Sequence, residues 1–101
     1  MQIIQEGYRY AAISASANVS NGATGQVVAG VIGGFFVSST TSGTIAIYDD
    51  VATGTATPIL ATFTPAASGF FLLNAKFSKG VYVVLGGTIA VTILYATANG
   101  D

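Results

Sequence analysis

The chain has no cysteine, no histidine and no tryptophan, two prolines, and only seven charged residues among 101. Without cysteine there is no disulfide, no thiol nucleophile and no thiolate ligand. Without histidine the side chain that ordinarily moves protons near neutral pH is missing, so acid–base and nucleophilic catalysis lack their usual participants. The charges are Glu6, Arg9, Asp49, Asp50, Lys76, Lys79 and Asp101, with a net of −1. That balance offers no basic footprint for DNA, RNA or an anionic membrane. No window sustains helical spacing with a cap and a charged face, so no helix is expected. These absences argue against an enzyme and against any cofactor, bound metal, nucleic-acid partner or membrane partner.

Scarcity of charge also bears on the surface. A folded chain of this mass exposes roughly 5,300 Å². Soluble small domains dress such a surface with about 25–35% charged residues, whereas here the whole chain reaches 7%. With 51% hydrophobic residues it is the opposite of a disordered composition and should fold. Part of its outside should then be covered by something other than water, which makes a complete monomer unexpected. The opening MQIIQEGYRY (residues 1–10) lacks the basic-then-apolar layout of a signal peptide. The run VVAGVIGGFFV (residues 27–37) is too short and too rich in glycine for a membrane span of about 20 residues, and reads as a buried strand.

What is present is punctuation and strand chemistry. Turn signals occur at SNGATG (residues 20–25), STTSG (39–43), DDVATGTATP (49–58), PAASG (65–69), SKG (78–80) and GG (86–87). Between them lie short segments rich in Val, Ile, Thr, Phe and Tyr, the side chains that suit a pleated sheet. The pattern predicts one all-β domain over residues 1–101, an antiparallel β-sandwich or jelly roll of seven or eight short strands. Residues 1–7 are either a first strand or an arm lying across a partner. Alternation puts Ile89, Val91, Ile93 and Tyr95 on one face, pairs Ile45 with Ile47, and groups Ile59, Ala61 and Phe63. In FSKGVYVVLGGTIAVTILY (residues 77–95), Gly86 and Gly87 are expected to form a two-residue hairpin turn. Tyr82 and Val84 leave the second face of that hairpin apolar, where a lone sandwich would carry polar residues.

Candidate sites are few. Asp49 and Asp50 open a turn or hold a cation, and the turn is preferred because no further acid lies nearby in sequence. The glycines of residues 25–34 have no following helix and so form no phosphate loop. The aromatics serve packing rather than a stacking platform, since Arg and Lys are not interleaved and Trp is absent. Phe36 and Phe71 stand apart, because Phe35 and Phe70 beside them must point the other way. The interface candidates are therefore Ile3, Ile4, Tyr8, Tyr10, Phe36, Phe71, Tyr82, Val84 and Leu94.

One likeness goes beyond pattern. STTSGTIAIYDDVATGTATPILATFTPAASGFF followed by FSKGVYVVLGGTIAVTILY, within residues 37–95, resembles small virion proteins of tailed bacteriophages, most clearly at Tyr48-Asp49 and FSKGVY (77–82). The resemblance implies a non-enzymatic capsid decoration or cement protein, or a head–tail or tail accessory. It implies a homo-oligomer, commonly a trimer, bound to the major capsid protein or another virion protein, made in the host cytoplasm and resident on the capsid surface. The alternative is a receptor- or carbohydrate-binding module of a tail or fibre, with Tyr8, Tyr10 and Tyr82 as its best contact residues. A pocket uniting Asp49 or Asp50 with Lys76 or Lys79 would be needed to revive an enzyme.

Overall fold

A computed structural model describes residues 9–19, 27–66 and 68–97. Its elements are all strands: β1 (Arg9–Ile13), β2 (Ala17–Asn18), β3 (Gly30–Tyr48), β4 (Pro58–Phe63), β5 (Gly69–Phe77) and β6 (Tyr82–Thr97). They form one antiparallel sheet of six strands. The count falls below seven or eight because two of the turn signals do not turn. Residues 39–43 run inside the 19-residue β3, and Gly86-Gly87 runs inside the 16-residue β6.

The hairpin expected at Gly86-Gly87 is thus corrected. Both arms pair with β3, from Tyr48↔Tyr82 through Thr44↔Gly86 to Gly30↔Thr97. The reason lies in the spacing. A two-residue turn would set Leu85 opposite Thr88, so the odd residues of one arm would share a face with the even residues of the other. Apolar Val81 and Val83 would then lie beside threonine and alanine. Buried residues instead keep one parity through both arms, Val81, Val83, Ile89, Val91, Ile93 and Tyr95. A register shift sets both Thr41 and Ser42 opposite Thr88, so the extra residue of the bulge lies on β3, and positive φ at Ser42 (+54°) and at Gly87 (+71°) accommodates it.

β3 and β6 form a spine with partners on both free edges. β5 lines the first half of β3 and β4 the second, while β1 and β2 line the corresponding halves of β6. The spine is folded over. Phe35 and Ile45 are ten residues apart on β3, about 33 Å along a straight strand. Yet Phe63, which pairs with Ile45, places its ring 6.3 Å from that of Phe35 and 5.5 Å from that of Phe71. Phe35 and Phe71 stack at 5.0 Å. A second closure joins the Tyr95 hydroxyl, donating to the Val19 carbonyl at 3.0 Å. Between the halves lies the core of Ile32, Phe35, Val37, Ile45, Ile47, Phe77, Val81, Val83, Ile89, Val91, Ile93 and Tyr95. Each large side chain there contributes about 1.5–3 kcal/mol by leaving water. Of the expected group Ile59, Ala61 and Phe63, the first and last pack against the core, while Ala61 is exposed and a register shift sets Leu60 opposite Ile47.

Candidate interaction surface

Parity along the strands also defines the outside. In β5 the even residues, Phe70, Leu72, Asn74 and Lys76, are all exposed, and the odd ones turn inward. Cross-strand register carries this face over four strands. One row runs Phe70, Phe36, Thr92, Ala12, and the next runs Leu72, Gly34, Leu94, Tyr10. Neither row contains a charge. Exposure is 52% for Phe70, 40% for Phe36, 73% for Leu72 and 76% for Tyr10. Aromatic side chains of about 150–250 Å² each make this roughly 450 Å² of bare apolar surface. The largest such patch on a typical monomer is about 300–600 Å², and it is often functional.

Gly34 keeps the second row flat. A Cβ there would lie 2.3 Å from the Phe71 carbonyl oxygen, so no side chain fits between Leu72 and Leu94. The close packing of β5 on β3 depends on that glycine.

Of the residues singled out from sequence, Tyr10, Phe36 and Leu94 come together in this patch. Ile3, Ile4 and Tyr8 lie outside the described residues. Phe71 is corrected: it turns inward onto Phe35 and Phe63, and Phe70 is the outward member of that pair. Tyr82 and Val84 are half-buried on the other half of the sheet, where Tyr82 pairs with Tyr48 at a ring distance of 6.3 Å. Leu72 and Phe70 were missed, although a signal was available. Lys76 must face water, and counting back from it in twos reaches Asn74, Leu72 and Phe70.

The two aspartates work on backbone amides. The Asp49 carboxylate accepts from the N–H groups of Ser78, Lys79 and Gly80 at 2.9, 2.7 and 3.2 Å. It ties the end of β3 to the turn between β5 and β6. Asp50 accepts from Ala52 and Gly54, each at 2.8 Å, and so closes its own loop. Those bonds, Gly54 first and then Ala52, with help from the Lys79 charge, hold the Asp50 carboxyl below the usual carboxylate range. Asn18, buried beside them, donates to the carbonyls of Asp50 and Ala52 at 2.9 and 3.0 Å. Among the described residues no group of three or more Asp, Glu, His or Cys could hold a metal ion. An open groove of about 570 Å³ at the start of β3, beside Gly30 and Val31, has Lys76 and Ser78 on its rim, and neither aspartate lines it.

Comparison with known proteins yields no matching family model, no matching curated protein and no matching solved structure.

Proposed function

We propose that this chain is a non-catalytic structural subunit of a tailed-bacteriophage virion, a capsid decoration protein that stabilises the shell by self-association and by contacts with coat subunits. In this reading the folded sheet is a sandwich-like slab, and the rows Phe70–Phe36–Thr92–Ala12 and Leu72–Gly34–Leu94–Tyr10 form its docking face. The observation that carries the reading is this face: apolar, free of charge and spread over four strands. Its exposed side chains alone supply slightly more than half of the roughly 800 Å² that each partner contributes to a standard interface. The virion assignment itself rests on the likeness within residues 37–95.

The test is co-sedimentation of the purified chain with undecorated heads of the encoding phage. Saturable binding that Leu72→Lys or Tyr10→Lys weakens supports the reading; an unchanged supernatant at saturating concentration refutes it. The carbohydrate-binding alternative gains nothing from the geometry, since Tyr10 and Tyr82 sit on separate halves of the sheet.

A further inference from the structure

The nine residues of β5 pair only with β3 among the described residues. An edge strand turns unpaired N–H and C=O groups outward along its length, and proteins normally blunt such an edge with charge, proline or a bulge. In β5 those devices occupy one end only. Lys76 lies near its C-terminus, and a register shift against β3 falls where Asn74 takes φ +51°. The preceding segment GFFLL has neither charge nor proline.

We propose that the free edge of β5 pairs antiparallel with β5 of a second copy of this chain, in a two-fold register centred on Phe71. That register sets Phe70 opposite Leu72 of the other copy, and Leu72 opposite its Phe70, so a single patch satisfies both sides of an isologous contact. Centring on Leu72 would set Phe70 against the left-handed Asn74. The two exposed apolar rows then continue across the dyad, and both docking faces lie in one sheet. Bare side-chain area from Phe70 and Leu72 comes to roughly 450 Å² over the two copies, short of the about 1,200 Å² of a stable interface. The contact is therefore weak between free chains and gains strength when a shell holds two copies close together. It rests on the reading of the chain as a self-associating virion part.

Because the chain lacks cysteine, single-cysteine variants report the register cleanly. Equal amounts of F70C and L72C are mixed under mild oxidation, with far-UV circular dichroism confirming that each is folded. The mixed disulfide should form roughly tenfold faster than collision alone allows, and ahead of either same-site disulfide. The collisional rate is set by S38C, exposed on β3 away from the edge. A mixed disulfide no faster than the S38C product overturns the pairing, as does a trimer that forms without it. Loss of cross-linking with head binding intact removes only this contact. Cross-linking with no head binding removes only the proposed function.

Discussion

Phe35 offers the sharpest test of the folded-over sheet. It is fully buried, stacks on Phe71 and meets Phe63 edge-on at 6.3 Å. Phe35→Ala should cost about 3–5 kcal/mol, the usual loss for a buried phenylalanine. Against the roughly 5–15 kcal/mol that stabilises a domain of this size, that is a large share. At roughly 4–8 °C per kcal/mol it lowers the melting temperature by about 12–40 °C. Leu72→Ala is the counterpart. With 73% of the side chain already in water, truncation returns only about 45 Å² and costs about 1 kcal/mol. Thermal and urea unfolding followed by circular dichroism, at concentrations low enough to exclude association, measures both. A double-mutant cycle then couples Phe35 with Phe63, which lies on the other half of the sheet. Coupling of about 0.5–1.5 kcal/mol is expected for such an aromatic pair. Zero coupling, or a Leu72→Ala loss equal to that of Phe35→Ala, would refute the folded spine.

Three further outcomes follow from single residues. Gly87→Ala puts a Cβ at φ +71° and should cost about 1–2 kcal/mol in urea titrations, with Gly87→Asn losing less. Asn18→Asp replaces the donor shared by the Asp50 and Ala52 carbonyls with an acceptor. It should lose about 1–3 kcal/mol or more at neutral pH and recover part of that in acid, where the carboxyl carries a proton. Asp50→Asn should be less stable than the parent at neutral pH. The folded Asp50 carboxyl titrates below its ordinary value of 3.8, so its contribution is complete above that value and is lost as the pH falls through the depressed one. The gap between the two melting curves should hold from neutrality to about pH 5 and close below about pH 4; a gap that widens in acid would contradict this account.

The sequence alone set the inventory of reactive side chains and much of the strand alternation. Absence of histidine and cysteine removed the usual catalytic groups, and alternation of β-formers placed Ile45, Ile47, Ile89, Val91, Ile93 and Tyr95 inside, as observed. The turns at residues 49–57 and 78–80 are also where glycine, serine and aspartate predict them. What local signals could not settle was whether a glycine pair reverses the chain or only bends it. Positive φ at Gly87 serves a hairpin turn and a bulge equally well, and the choice falls to whichever strand pairs with both arms. Here that strand is β3. Its partnership turned an expected hairpin into one long strand and folded the spine so that Phe63 meets Phe35. Likewise the doublet Phe70-Phe71 requires one ring to leave the core, but only packing against Phe35 and Phe63 selected Phe71 for the inside and left Phe70 on the bare edge. Steric preference acts within a few residues, whereas burial is a property of the whole folded sheet, and that difference divides what the chain declared from what its tertiary structure chose.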